Sequence, residues 1–153
     1  MATTNDNDNC RSSDVDNCKI VELGKKTHQN GNLTVVENLK DIPFETKRIY
    51  YLYDVPGGSS RGGHAHRQLF QLIVAISGSF NVNIFDGVNH KTFFLNRPYE
   101  GLLITPGIWR TIDNFSSGSV CLVLASENFN EEDYIRNYDD FLALTENKRQ
   151  NHD

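Results

Sequence analysis

The sequence predicts an all-β domain, folded as a β-sandwich or a closed barrel, with a short helix near the C-terminus. Three observations predict this fold class. Most segments are short and rich in aromatic and β-branched residues, which favour strands. Glycine or proline turns separate them at intervals of about 8–12 residues. Helical spacing of apolar residues is confined to the end of the chain.

Eight segments have strand composition, and turn residues separate most of them. An Asn-Gly pair precedes the first, and Pro-Gly-Gly follows the second, whose sequence is KRIYYLYD. The third is strongly apolar and stops at a glycine, whereas the fourth alternates in polarity and enters an Asp-Gly turn from which the fifth returns. Pro-Gly and Ser-Ser-Gly turns separate the last three. The predicted strands are residues 33–37, 47–54, 69–77, 80–85, 91–95, 101–105, 109–114 and 120–126.

The helix is predicted from an acidic run, Glu131-Glu132-Asp133, that precedes apolar residues at roughly helical spacing. Negative charge stabilises the first turn of a helix through the helix dipole. We therefore interpret the run as a helix start rather than as part of a site. The apolar residues that follow it are Tyr134, Ile135, Tyr138, Phe141 and Leu142.

Both ends of the chain are predicted to be mobile tails that flank one domain of residues 20–144. Residues 1–19 are mostly Asn, Asp, Ser and Thr, which bury too little apolar surface to offset the entropy of ordering. We expect the removal of this segment to leave folding and turnover largely intact. Residues 145–153 are interpreted in the same way.

The formal net charge is −5, from 15 basic and 20 acidic residues. A nucleic-acid partner is not expected, because such proteins need a basic face to displace counterions. A small anionic ligand remains compatible with this charge. The chain shows no apolar run long enough to cross a membrane and no signal-peptide pattern, and its three cysteines indicate no disulfide framework, so we expect a cytoplasmic protein.

Residues 58–66, with the sequence GSSRGGHAH, form the most informative segment. Side chains alternate between the faces of a strand, so His64 and His66 point to one side and Ala65 points to the other. The preceding glycines allow a tight backbone turn. Two histidines on one face are compatible with a metal half-site, with a proton-transfer pair, or with a chance pair at the surface.

The spacing around this pair resembles the first motif of the cupin superfamily, and it matches at Gly58, His64, His66, Gln71 and Gly78. The second cupin motif has a matching region, shortened by one residue, at Gly101, Pro106, Gly107, Arg110 and Asn114. This resemblance implies a cupin fold, that is, an RmlC-like jelly-roll barrel, here followed by a short C-terminal helix.

Two positions depart from the metal-binding cupins. Gln71 stands where those proteins have a glutamate ligand, and Arg110 stands where they have their last histidine ligand. Arginine has no lone pair to offer a metal and repels it electrostatically. We therefore expect no metal and no other cofactor.

A second resemblance is more specific. The stretches RIYYLYDVPGGSSRGGHAH, SGSFNVNIFDG, GLLITPGIWR and EEDYIRNYDDF are similar to those of the sugar 3,4-ketoisomerase family, from about residue 20 to residue 141. The resemblance implies a homodimer that acts on dTDP-4-oxo-6-deoxyglucose, in the synthesis of amino-deoxysugars such as those of lipopolysaccharide O-antigen. It also implies active-site roles for His64, His66 and Tyr50. Residues 33–37 are our candidate for a segment that crosses between subunits.

The implied chemistry suits these residues. A 3,4-ketoisomerase removes a proton from C3 and returns one to C4 through an enediol, and a neutral imidazole can do both near neutral pH. We take His64 as the base, because it lies nearer the glycine-rich turn, and His66 as a residue that holds a substrate oxygen or relays a proton. Tyr50 would exchange a proton with an enediol oxygen, or it would only pack in its tyrosine-rich strand.

Five residues are candidates for substrate binding. Arg61 or Arg110 would balance the diphosphate, and Arg48 shares a strand face with Tyr50 by parity. Trp109 would stack on thymine or fill the core. Gln71 completes the set. Two alternatives stay open at this point: a sugar-nucleotide 3,5-epimerase, and a sugar-nucleotide-binding cupin without catalysis.

Overall fold

The computed structural model describes residues 13–151, which form two five-stranded antiparallel sheets, a small hairpin and one α-helix. The strands are β1 (Lys19–Glu22), β2 (Lys26–His28), β3 (Gly31–Leu33), β4 (Arg48–Leu52), β5 (Arg61–His66), β6 (Gln71–Ser77), β7 (Phe80–Phe85), β8 (His90–Leu95), β9 (Glu100–Ile104), β10 (Trp109–Asp113), β11 (Val120–Ala125) and β12 (Tyr134–Ile135). Two 3-10 turns, Val15–Asn17 and Glu131–Asp133, and the helix α1 (Tyr138–Gln150) complete the fold.

The two sheets pack face to face around the main core. The first sheet has the order β1-β9-β6-β11-β4, and the second has the order β12-β5-β10-β7-β8. Strand β7 shows the alternation expected of a strand that turns one face to the core. Phe80, Val82 and Ile84 are buried, and the residues between them are partly exposed. The all-β class with a single C-terminal helix is confirmed.

The outer faces of the two sheets are covered in different ways. On the first sheet, Ile42 and Phe44 from the β3–β4 connection pack with Leu72 and Leu124. Strand β6 is therefore buried on both sides over its first five residues. On the second sheet, α1 covers the outer face through Phe141. Among residues 13–151, no helix is long and apolar enough to cross a membrane.

The N-terminal boundary of the domain lies earlier than the sequence suggested. Within the segment 1–19, which we predicted to be a tail, residues 1–12 lie outside the described residues, but Val15 and Cys18 are only 1% and 3% exposed. Both belong to the main core, and the Val15 amide donates to the Asp86 carboxylate at 3.1 Å. Two apolar side chains on one capped 3-10 turn are enough to dock it, although the average composition of the segment is polar.

Two other predicted boundaries are also corrected. The strand expected at residues 33–37 is Gly31–Leu33, and residues 34–37 have no strand pairing. The helix begins at Tyr138, where Asn137 caps it by accepting from the Asp140 amide, and it runs through most of the predicted C-terminal tail. Thr145 is buried in its middle, and residues 152 and 153 of the predicted tail lie outside the described residues.

Candidate active site

The paired histidines lie on β5 and face the interior, as the strand parity predicted. His64 and His66 are buried, and their ring centroids are 4.9 Å apart at nearly perpendicular planes. Ala65 points to the opposite side, toward Ile135 and Phe141. The surface-accident interpretation is therefore excluded for both histidines.

Gly62 shapes the entry to this strand. Its φ of +73° is a conformation that side-chain-bearing residues rarely adopt. A Cβ at this position would clash with Nη1 of Arg110, so the glycine also makes room for the guanidinium. The glycine-rich run before the histidines thus permits both the turn and the close approach of a cation to His64, which pairs with Arg110 across β5 and β10.

His66 is hydrogen-bonded to the carboxylate of Asp133, a residue that our sequence analysis assigned to a helix start. Nδ1 of His66 lies 2.9 Å from Oδ2 of Asp133, and the other oxygen of Asp133 accepts the Gln68 amide at 2.7 Å. We predicted the run 131–133 to start a helix, but it forms a separate 3-10 turn whose last residue enters the site. The two partners are 67 residues apart, so no local sequence pattern could have revealed the bond.

Both imidazoles are neutral at neutral pH. Burial, followed by the positive charge of Arg110, lowers the pKa of His64 to about 2. Burial also lowers the pKa of His66, to about 4, although the hydrogen bond to Asp133 opposes the shift. Nε2 of His64 is buried and has no hydrogen-bond partner among the described residues, so it is free to meet a ligand.

Arg110 lies inside the barrel, with a relative exposure of 2%. Its Nε donates to Oε1 of Gln71 at 2.9 Å, and its Nη2 donates to the Tyr50 hydroxyl at 2.8 Å. Among residues 13–151, no carboxylate forms a salt bridge with it. Burial raises the pKa of Tyr50 more than the charge of Arg110 lowers it, so the phenol keeps its proton.

Arg48 and Tyr134 complete the cluster. The Tyr134 ring centroid lies 4.3 Å from that of His66 and 5.0 Å from that of His64. Nη2 of Arg48 donates to the Tyr134 hydroxyl at 3.3 Å. Our sequence analysis placed Arg48 correctly on the face of Tyr50 but treated Tyr134 only as part of a helix.

Two predicted site residues lie elsewhere. The Trp109 ring packs under α1, with its centroid 5.2 Å from that of Tyr138 and 5.5 Å from that of Phe141. It follows strand parity, since the neighbouring Arg110 faces inward. Arg61 is exposed at the start of β5 and lines a surface recess with Tyr51 and Tyr53. The structure brings neither of them to the imidazoles.

The side chains of the site provide few ligands for a metal ion. Within residues 13–151, no group of three or more His, Cys, Asp or Glu side chains is arranged to hold a metal ion. At the two positions where metal-binding cupins have further ligands, Gln71 and Arg110 bond to each other instead. The donor set therefore suits proton transfer on an anionic ligand better than metal coordination.

Comparison with known proteins gives a consistent result. A family model described as FdtA, WxcM-like, C-terminal, matches residues 16–146. The TDP-4-oxo-6-deoxy-alpha-D-glucose-3,4-oxoisomerase of Aneurinibacillus thermoaerophilus is 41% identical over 123 residues, which cover 80% of this chain and 88% of that protein.

Two solved structures are similar throughout the fold. A 3,4-ketoisomerase from Helicobacter canadensis has 46% identity and a TM-score of 0.82, over 84% of this chain and 97% of that one. A histidine-to-asparagine variant of the 3,4-ketoisomerase QdtA from Thermoanaerobacterium thermosaccharolyticum, in complex with TDP-4-keto-6-deoxyglucose, has 37% identity and a TM-score of 0.84, over 86% and 95%.

Proposed function

The chain belongs to the FdtA family of WxcM-like, C-terminal proteins, and from this membership we propose that it moves the keto group of dTDP-4-oxo-6-deoxyglucose from C4 to C3. Its reaction class is that of a TDP-sugar 3,4-ketoisomerase, an intramolecular oxidoreductase. The observation that carries the mechanism we propose is a pair of buried, neutral imidazoles. Beside them lie a protonated tyrosine and an arginine that has no carboxylate partner among residues 13–151.

We propose that His64 is the base that removes the proton from C3. A C–H bond offers the base no hydrogen bond in advance, so the base needs a free nitrogen, and Nε2 of His64 has no partner in the described protein. Tyr50 donates a hydrogen bond to O4 and keeps its own proton, as the carbonyl oxygen becomes an enediolate oxygen. The buried charge of Arg110 stabilises the negative charge that develops there.

In the second half of the reaction, protonated His64 returns its proton to C4 and the carbonyl forms at C3. The proton on O3 must leave as this carbonyl forms, and O4 must be protonated as the hydroxyl forms. We propose that His66 relays this proton between the two oxygens. The electron pair moves within the hexose, so the reaction balances without an external oxidant or reductant.

We propose that Arg48 and Arg110 are the groups that face the anionic parts of the substrate. Arg48 has a buried Nε without a hydrogen-bond partner among the described residues. Gln71 acts through Arg110, whose Nε it holds. Arg61, at the rim, remains a candidate for the diphosphate.

Incubation with dTDP-4-oxo-6-deoxyglucose in deuterated water tests the proposed function. We expect a 3-oxo product in which solvent deuterium on carbon is confined to C4, since C3 is now the carbonyl carbon. Exchange at C3 and C5 with the ketone still at C4 would indicate a 3,5-epimerase. Binding without turnover would indicate a sugar-nucleotide-binding cupin.

Turnover is expected to survive exhaustive chelation. The reason is the replacement of two expected metal ligands by Gln71 and Arg110, which bond to each other. The measurement is the rate before and after dialysis against a strong chelator, with the metal content determined on the same sample. A loss of activity that one divalent ion restores would contradict this prediction.

We propose that the protein is a homodimer and that β4 contributes to the interface. This strand is an edge of its sheet, and Ile49, Tyr51 and Tyr53 on or beside it are about 60% exposed. An unpaired edge with apolar side chains favours association. Light scattering at micromolar concentration should give the mass of two chains.

The double variant Ile49→Glu/Tyr51→Glu should shift this mass toward one chain, because two charges would be buried in the interface. The matched control is Phe94→Glu, at a similarly exposed position on β8. A native mass of one chain, or an unchanged mass in the double variant, would contradict the proposed interface.

We further propose a cytoplasmic location and a place in amino-deoxysugar synthesis, lipopolysaccharide O-antigen included. Cys18 and Cys121 are buried free thiols, as is usual in reducing compartments. A 3-oxo sugar has the carbonyl that amination at C3 requires. The net charge of −5 supports a small anionic ligand rather than a nucleic acid as the partner.

A further inference from the structure

Asp133 is the only carboxylate that bonds to either imidazole among residues 13–151. Its Oδ2 lies 2.9 Å from Nδ1 of His66, and its side chain is only 10% exposed. A carboxylate can only accept in such a bond, so Nδ1 of His66 must carry the proton. The Nε2 of the neutral ring is then left with its lone pair.

The position of Asp133 is fixed from several directions. Its second oxygen accepts the Gln68 amide, and its backbone oxygen accepts the Arg67 amide at 2.9 Å. The next residue, Tyr134, pairs with His66 in the short β12–β5 ladder. The carboxylate is therefore held against the same strand that carries the imidazole.

From this geometry we propose that Asp133 is a positioning residue, which fixes the tautomer of His66 and stabilises its imidazolium during turnover. The inference rests on the proposed function and deepens it. When His66 relays the proton, Nε2 takes it from O3 and gives it to O4. Between these two transfers the ring carries a positive charge.

Electrostatics explain why such a partner is needed. Arg110 and Arg48 both disfavour a positive charge on His66, as does the burial of the ring. Asp133 is the group that opposes them, through its hydrogen bond and its charge. Without it, the imidazolium would have to form beside two cations in a poorly solvated site.

The experiment compares the native protein with Asp133→Asn. The amide of the variant would place a donor against Nδ1 if its oxygen keeps the Gln68 bond, and this favours a proton on Nε2 instead. We expect kcat to fall by about 10²–10⁴-fold, because the relay loses both its tautomer and its counter-charge. KM and dTDP affinity should stay near native values, because the Asp133 side chain bonds to His66 and Gln68 and not to Arg48 or Arg110.

The tautomer itself is measured by ¹⁵N NMR of histidine-labelled protein. The native His66 should show a protonated Nδ1, and the Asp133→Asn variant should show a protonated Nε2. Asp133→Glu should recover part of the lost turnover. The matched control is Glu132→Gln, which removes a charge from the same 3-10 turn and should keep native kcat.

The inference is overturned if native His66 carries its proton on Nε2, if Asp133→Asn keeps native turnover, or if Glu132→Gln loses as much activity. If Asp133→Asn fails to fold, the tautomer of His66 in the native protein, measured by ¹⁵N NMR, still tests the proposed role of Asp133. If the native protein does not convert dTDP-4-oxo-6-deoxyglucose, the proposed function fails, while the tautomer of His66 remains a separate test of Asp133.

Discussion

Replacement of His64 by asparagine is expected to lower turnover by about 10²–10⁴-fold, the usual effect of losing a general base. His64 presents a buried Nε2 that has no hydrogen-bond partner among the described residues, and the neighbouring imidazole is that of His66. Asparagine removes the base while it leaves Arg48 and Arg110 in place. Binding of dTDP should therefore change much less than turnover.

His66→Asn should also reduce turnover, but the two variants should differ in a second measurement. Exchange of the C3 proton with solvent should be lost in His64→Asn and partly retained in His66→Asn, because only the base acts on carbon. The matched control is His28→Asn, an exposed position outside the site. If His64→Asn still exchanges C3 at the native rate while His66→Asn does not, the two roles are reversed. If both variants retain native turnover, the pair is not catalytic.

Arg110→Met is expected to lower turnover by about 10²–10³-fold, because a preorganised charge at a developing oxyanion typically contributes that much. Arg110 is 2% exposed, and its hydrogen-bond partners in the described part of the chain are the neutral Gln71 and Tyr50, so its charge remains available for the substrate. Arg110→Lys keeps the charge but cannot bond to Gln71 and Tyr50 in the same way, and we expect an intermediate rate.

Arg110→Met should change the free energy of unfolding by less than about 2 kcal/mol, because two effects of a few kcal/mol offset each other. Removal of a buried, unpaired charge is favourable. Loss of the partners of Gln71 and Tyr50 is unfavourable, at about 1–3 kcal/mol for each buried group left unsatisfied. Kinetic assays and urea unfolding of Arg110→Met, with the exposed Arg97→Met as control, test both expectations. Native turnover in Arg110→Met would contradict the proposed role.

The parts of the site that lie on one strand were predictable from the sequence. Parity on β5 places both imidazoles inside and Ala65 outside, and the same rule relates Arg48 to Tyr50. Applied to β10, it would also have sent Trp109 to the outer face once Arg110 was placed inside. The cupin spacing brought Gln71 and Arg110 into one site, where they are hydrogen-bonded.

What the sequence could not reveal depends on packing between distant segments. Asp133 and Tyr134 reach the histidines only because β12 pairs with β5, and their local pattern is equally typical of a helix start. Val15 lies in a polar segment whose composition indicates a tail, yet the buried side chains of Val15 and Cys18 and one amide bond to Asp86 hold the turn in place. The average composition of a segment predicts the position of neither of these two segments, because one or two specific contacts determine where each of them packs.

The β12–β5 pairing also has a consequence for how the protein acquires activity during folding. His66 and Asp133 are separated by 67 residues, and the strands between them build most of both sheets. Non-local pairings of this kind dominate slowly folding β-proteins, which typically take milliseconds to seconds. The bond between the two side chains closes a long loop, and this costs conformational entropy that the packing of the intervening strands offsets. Regain of activity after dilution from denaturant should therefore be a late event, and a chain that has recovered its sheets but not this last ladder should be compact and inactive.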